Sequence, residues 1–248
     1  MNLLIDCGNQ RIKWAFSVPD SSHLTYTSAA NPEAFESLLF TQLASLKPTI
    51  ERAWLSSVKP QSSQMVKAVL MSQRIVCEEA VVQTDWDGLI LGYDHPEQLG
   101  IDRYLALLGS LVDAPCLVVD AGTAMTMDAL VKEAVGYRHL GGLIAPGSRL
   151  MAQSLLSTEI KHTPTSPIGD MAWGRNTKKC IALGIHSAHV GLINQMAAQN
   201  ALRVIGCGGD FPALIPWINA AEVVHRPQLV LEGLRRYAQL AHGKCNLS

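Results

Sequence analysis

Two kinds of hydrophobic pattern alternate along this chain. LLI (3–5) is an unbroken apolar run that stops at Asp6, and a turn of small and polar residues follows: Cys7, Gly8, Asn9 and Gln10. RIKWAFSV (11–18) then alternates, with Ile12, Trp14 and Phe16 on one side and Arg11, Lys13 and Ala15 on the other. The pattern predicts two strands joined as a hairpin, the second one half-buried. Asn31-Pro32 predicts a helix start, and Phe35, Leu38, Leu39, Leu43 and Leu46 mark its apolar face. Residues 53–58 read as a strand, 63–72 as a short helix and 80–83 as a strand. Asp85–Gly100 is rich in Gly, Asp and Pro and reads as a loop. A helix is predicted from Arg103 to about Val112, closed by Pro115.

The opening pattern then returns. CLVVDAGTAMTMDAL (116–130) is again an apolar run, an Asp, a small residue, a Gly, a polar residue and an alternating strand. LLIDCGN and LVVDAGT share strand-Asp-x-Gly-polar, about half a chain apart. Such a repeat predicts two related domains, 1–114 and 115–248, each presenting a turn to a shared cleft. Downstream, GGLIAPG (141–147) reads as a strand and turn, 148–156 as a helix, 157–176 as a loop and 177–199 as a long helix. RVIGCGGD (203–210) reads as a strand running into glycines, and 212–218 and 228–240 as closing helices. Strands and helices alternate but hairpins are present, so the expected class is α/β with mixed sheets.

Composition narrows the classes. Of 248 residues 48% are hydrophobic and 17% charged, enough for a packed core. Formal net charge is -1 with no basic run, which argues against nucleic acid as a partner. No apolar stretch approaches the roughly 20 residues needed to cross a membrane, and the start lacks a signal-peptide pattern. Six scattered cysteines without a CxxC pair suit free thiols. These readings predict a cytoplasmic protein with neither membrane nor nucleic-acid contact.

The turns suggest phosphate chemistry. Backbone N–H groups of a Gly-rich turn can meet phosphate oxygens, an Asp at a strand end can hold Mg²⁺ through water, and a Lys on the next strand can act as a point charge. Asp6, Gly8, Asn9 and Lys13 supply these parts; Asp120, Gly122 and Thr123 supply a second turn without the Lys. There is no GxxxxGK[ST] and no GxGxxG, so neither a P-loop nor a dinucleotide fingerprint is present. In GYDHPEQLGIDRYLALL (92–108), Asp102 and Arg103 open a helix. First-turn acids are favoured at helix starts in any case, and an Arg there can be a solvated surface residue. The functional alternative is a general base for a hydroxyl beside a fork-shaped partner for an acidic substrate. His186 and His189, three apart on a helix, read as packing or surface residues, and His139 as structural. Trp86 and Trp173 either line a pocket or anchor their loops, and Arg235-Arg236 reads as a solvated face.

The order of these motifs resembles a known family. DxGN with Lys13, then GIDR (100–103), DAGTA (120–124), GGLIAPG and GRNT (174–177) is similar to the type III pantothenate kinases, members of the acetate and sugar kinase, Hsp70 and actin superfamily. The resemblance implies two ribonuclease H-like (actin-like ATPase) domains with mixed sheets flanked by helices and a cleft between them. It implies ATP-dependent phosphorylation of pantothenate to 4'-phosphopantothenate, the first step of coenzyme A biosynthesis. By position, Asp6, Cys7, Gly8, Asn9, Gln10, Arg11, Ile12 and Lys13 would bind ATP, with Asp6 near Mg²⁺ through water, and Thr123 would touch ATP. Tyr93, Gly100, Ile101, Asp102, Arg103 and Thr177 would bind pantothenate, with Asp102 as proton acceptor. Asp120 would hold a monovalent cation, K⁺ or NH₄⁺. A homodimer with substrate near the interface is also implied. Two positions depart from the family: Gln10 replaces a usual Thr or Ser, and Cys207 stands where a Thr usually precedes the glycines, so Gly208 and Gly209 are not carried over. Rival readings are a kinase of another small hydroxy acid or sugar on this fold, and a non-catalytic regulatory or transcription accessory protein.

Overall fold

In chain order the elements are β1 (Asn2–Cys7), β2 (Ile12–Ser17), β3 (Tyr26–Ala29), α1 (Pro32–Leu46), β4 (Arg52–Ser57), α2 (Pro60–Ser72), β5 (Cys77–Glu79), β6 (Leu89–Ile90), α3 (Ile101–Gly109), β7 (Cys116–Ala121), β8 (Ala124–Lys132), β9 (Tyr137–Pro146), α4 (Ser148–Leu156), α5 (Thr177–Gln199), β10 (Arg203–Cys207), α6 (Phe211–Leu214), β11 (Val223–His225) and α7 (Leu229–Cys245). The structure is a computed structural model, and it describes residues 1–18, 24, 26–46, 49–50, 52–156 and 173–245. Most of the expected 157–176 loop and the side chain of Leu46 lie outside the described residues.

The chain forms two units. One comprises Met1–Val112, Glu133–Arg138 and Gln228–Ser248; the other Asp113–Lys132 and His139–Pro227. In the first, the sheet order is β3-β2-β1-β4-β5. The expected hairpin is there: β1 and β2 pair antiparallel, with Ile5 opposite Trp14 and Asp6 opposite Lys13. β4 pairs parallel with β1 on its other side, Asp6 matching Ser56. One face of this sheet carries Leu3, Ile5, Cys7, Ile12, Trp14, Ala53 and Leu55, buried with Phe35 and Leu39 of α1 and Val66 and Leu70 of α2. Trp14 meets Phe35 edge-on at 5.0 Å, and its indole N–H donates to Gln42 Oε1 at 2.8 Å, so the ring is buried with its polar atom satisfied. Asn31 caps α1 by accepting from Ala34 N at 2.8 Å.

On the opposite face, which bears Leu4, Asp6, Lys13, Ala15, Trp54 and Ser56, α7 packs on β1, β2 and β4, and α3 packs on β4. β2 is therefore covered on both sides rather than half-buried: Ala15 is buried as deeply as Trp14. Trp86 stacks on Tyr237 of α7 at 5.4 Å, anchoring its loop, and Arg236 pairs with Asp87, so that arginine does more than face solvent.

Several sequence expectations shift. Leu38 is exposed, because the buried stripe of α1 is narrower than the five-residue face. The strand expected at 80–83 lies at Cys77–Glu79 instead. The α2 turn with Arg74 at φ +58 returns the chain to β4 at once, and Ala53 N donates to Val76 O at 2.8 Å. Pairing ends where Ala80 N reaches Leu55 O, leaving Val81 exposed. The 85–100 loop contains β6, paired with Tyr137–Arg138, and a 3₁₀ turn at Pro96–Gln98. The next helix starts two residues early, at Ile101, and β9 begins before the glycines, at Tyr137. β3 and β11, short and of mixed polarity, were not expected.

The second unit repeats the first in topology. Its strands run β11-β10-β7-β8-β9, which matches β5-β4-β1-β2-β3 with each strand's counterpart in the same place. β7 and β8 pair antiparallel, and β10 lies parallel to β7. Leu117, Val119, Ala121, Met125, Met127 and Val204 pack against Val190, Ile193 and Ala197 of α5 and Phe211 of α6. Two near-identical strand patterns thus mark two copies of one topology.

Candidate active site

Asp6 occupies the next-to-last position of β1 and is 8% exposed. It accepts a hydrogen bond from Ser56 Oγ at 3.2 Å and stands directly across the hairpin from Lys13. Cross-strand partners point to the same face of a sheet, so the carboxylate and the ammonium stem share one side. Gly8 N donates to Arg11 O at 3.1 Å and closes the turn. Asn9, Gln10 and Arg11 are exposed at its tip, and Arg11 reaches Ser28 Oγ at 3.5 Å. The side chains of Cys7 and Ile12 belong to the apolar cluster, so these two positions offer a ligand only backbone. Burial, and then the Asp6 carboxylate, push the Cys7 thiol up to about 12.

Lys59 also serves this turn: its Nζ donates to Asn9 O. Its sequence signal is weak, a Lys two residues past a strand and just before a helix-opening Pro.

A second group sits at the start of α3. Asp102 is half-buried, and its Oδ1 accepts from Arg103 N at 2.9 Å. A Cβ on Gly100 would stand 2.7 Å from that oxygen, so the carboxylate folds over the glycine. Arg103 is 6% exposed, not a solvated surface residue. Its Nη1 donates to Tyr93 Oη at 2.6 Å, with the guanidinium carbon 5.5 Å from the ring centroid. The structure therefore brings Tyr93, Gly100, Asp102 and Arg103 together, with half-buried Ile101 between them.

The turn of the second unit is built likewise. Asp120 is next to last in β7, opposite Thr126 on β8 and Cys207 on β10. Gly122 N donates to Ala124 O, and Gly147 N to Thr123 O, both at 3.0 Å. The glycines that follow β10 close over it. Gly208 has φ +88, and a Cβ there would stand 2.4 Å from Asp120 Oδ1 and 2.3 Å from Ala121 O. Thr177 is the exposed first residue of α5, which Asn176 caps by accepting from Lys179 N at 2.9 Å.

The histidines have structural partners. His139 and Asp128 pair at 2.9 Å, both buried, and His189 Nε2 lies 2.9 Å from Pro146 O. His186 packs edge-on to Trp217 at 6.0 Å. Trp173 is exposed.

Mg²⁺ favours one or two carboxylates plus phosphate and water over an all-protein cage. Asp6, a single carboxylate beside the turn, suits that mode, and among the described residues no group of three or more His, Cys, Asp or Glu is placed to hold a metal. No helix among them is long and apolar enough to cross a membrane.

Comparison with known proteins agrees with the motif reading. Residues 2–199 match the family model described as type III pantothenate kinase. The type III pantothenate kinase of Halorhodospira halophila is 35% identical over 264 residues, covering 96% of this chain and 98% of that one. That of Acinetobacter baylyi is 31% identical, with 96% and 97% covered. Among solved structures, a Campylobacter jejuni protein assigned to a Baf family of transcriptional activators superposes with TM-score 0.63 at 20% identity, over 97% of this chain and 99% of that one. The activator of 2-hydroxyisocaproyl-CoA dehydratase from Clostridium difficile does so with TM-score 0.56 at 9% identity, over 100% and 98%. These two likenesses speak for the fold alone, the actin-like and sugar-kinase fold expected from the motifs. The family match across most of the chain, with relatives above 30% identity, assigns it: the chain belongs to the type III pantothenate kinases.

Proposed function

We propose that this chain transfers the γ-phosphoryl group of ATP to the primary hydroxyl of pantothenate, with Asp102 as the proton acceptor. The observation that carries the assignment of roles is the group at the start of α3, where a half-buried carboxylate stands beside a buried, phenol-held guanidinium. Phosphoryl transfer passes through a loose transition state, so the protein mainly positions the reactants and neutralises charge. Asp102 takes the hydroxyl proton as the new P–O bond forms. Arg103, its fork steadied by Tyr93, orients the carboxylate or amide oxygen of pantothenate. The Asp6–Lys13 turn engages the phosphates, through the N–H groups of its tip and the Lys13 ammonium, and Asp6 would hold Mg²⁺ through water. When bound, the metal neutralises phosphate charge. Thr123 and Thr177 complete the nucleotide and pantothenate contacts.

Three finer points belong to this reading. A monovalent cation, K⁺ or NH₄⁺, would be held at Asp120, whose Oδ1 lies close beside Gly208. The enzyme is a homodimer, and it works in the cytoplasm. The test is direct detection of 4'-phosphopantothenate by mass spectrometry after incubation with ATP and Mg²⁺, in sodium and in potassium buffers. Product that forms faster in potassium supports both the reaction and the cation. Product equal in both buffers removes the cation, and no product removes the reaction. Phosphorylation of another hydroxy acid or a sugar in preference would redirect the substrate, and light scattering at monomer mass would remove the dimer.

A further inference from the structure

The turn at residues 6–11 has a second lysine that neither the motif nor the family match assigns. Lys59 follows β4, the strand parallel to β1, and it is exposed. Its backbone is pinned from both sides: Ser57 Oγ accepts from Lys59 N at 3.1 Å and donates to Lys59 O at 3.0 Å, and Pro60 then opens α2. From that fixed point the side chain crosses to the turn, where Nζ donates to Asn9 O.

An exposed lysine holding one carbonyl gains little stability, because ordering a long side chain offsets most of the bond. Its placement is better explained by charge. The turn and its flanks carry Arg11, Lys13 and Lys59, with Asp6 opposite Lys13, while the chain as a whole has a formal net charge of -1. The tip carries no hydroxyl, since it reads Gly8-Asn9-Gln10. An ammonium has three donors, and the Asn9 carbonyl takes one. The other two suit phosphate oxygens.

We infer that Lys59 is a phosphate-binding residue of this site, which uses one N–H to hold the Asn9 carbonyl and its remaining N–H groups to grip the terminal phosphates of a nucleoside triphosphate. This rests on the kinase reading for the presence of ATP but not on the identity of the acceptor alcohol. With Lys13 it brackets the polyphosphate from β2 on one side and from the end of β4 on the other, and its pinned backbone lowers the ordering cost of binding.

The test is calorimetric titration of the whole protein with ATP·Mg and with AMP, for the wild type, Lys59→Met and Lys59→Arg, with thermal melting of each. The expected result is about tenfold weaker ATP binding by Lys59→Met, as for loss of one charge-assisted hydrogen bond at an exposed site. AMP binding changes less than about twofold, and Lys59→Arg keeps most of the ATP affinity. In kinetics the same variant raises KM for ATP while leaving KM for pantothenate in place. Unchanged ATP binding in Lys59→Met, or equal weakening of ATP and AMP, overturns the inference and leaves Lys59 a latch on the turn. A wild type that binds no ATP at all removes the kinase reading, and this inference with it.

Discussion

Lys13 stands directly opposite Asp6 across the first hairpin, with Ser56 on the other side of the same acid. The apolar run of β1 stops at an acid whose carboxylate emerges on the sheet face opposite the main apolar cluster, where a cation can share its side. On the proposed reading, an ammonium held there would screen phosphate oxygens as a point charge. Lys13→Met is expected to raise KM for ATP by about tenfold or more, from the loss of charge-assisted contacts to phosphate. KM for pantothenate should hold. Steady-state kinetics with each substrate varied separately measures the split, and a change confined to pantothenate would place Lys13 elsewhere.

Arg103 is buried and bonded to Tyr93, a setting in which lysine is no substitute. An ammonium has no planar fork and pays more to lose its water. Arg103→Lys is expected to raise KM for pantothenate by roughly tenfold or more while nucleotide titration stays as in the wild type. Tyr93→Phe should move the same constant in the same direction by a smaller step. Loss of ATP affinity in either variant would contradict this division of labour.

Gly208 and Gly209 make a paired test of the second turn. At Gly208 the φ of +88 and the nearness of Asp120 Oδ1 and Ala121 O leave no room for a methyl group, whereas a Cβ on Gly209 meets nothing within 4 Å. Gly208→Ala is expected to destabilise the fold by about 1–3 kcal/mol and to weaken the response to potassium. Gly209→Ala should change either by little. Chemical denaturation and rate against potassium concentration report the two effects.

His186 links stability to pH. Burial lowers its proton affinity below the ordinary histidine range, and His189 pushes in the same direction. With a depressed value in the folded state, the unfolded chain takes up its proton first as pH falls. The contribution is therefore present above about pH 6.5 and is lost as pH drops through and below that value. The melting temperature should decline from pH 7 to pH 5, and His186→Phe should flatten that decline. An equally steep decline in the variant would assign it to other groups.

Much of this was legible in the sequence because short patterns carried it. Strand-Asp-x-Gly, read twice, anticipated two hairpins and, with them, two copies of one topology. Asn31-Pro32 marked a helix start because capping is local chemistry. What escaped was decided at longer range. The stretch Ala80-Val81-Val82 looked more strand-like than Cys77-Glu78-Glu79, yet the return from α2 set the register, and the acids pair instead: Glu78 with Arg52, and Glu79 with Lys67 at 2.9 Å. Ala15 looked outward until α7 covered that face. Gly208 and Lys59 gained their meaning only when β10 and β4 lay beside the strands of the two turns.

The proposed chemistry turns on one proton, which the carboxylate of residue 102 would accept from the pantothenate hydroxyl. The most direct measurement is the single-turnover rate of 4'-phosphopantothenate formation by the wild type and by Asp102→Asn at saturating ATP·Mg and pantothenate, with nucleotide binding checked by titration. The expected result is a fall of about 10²–10⁴-fold in rate with nucleotide affinity retained. Full turnover by the variant would contradict it.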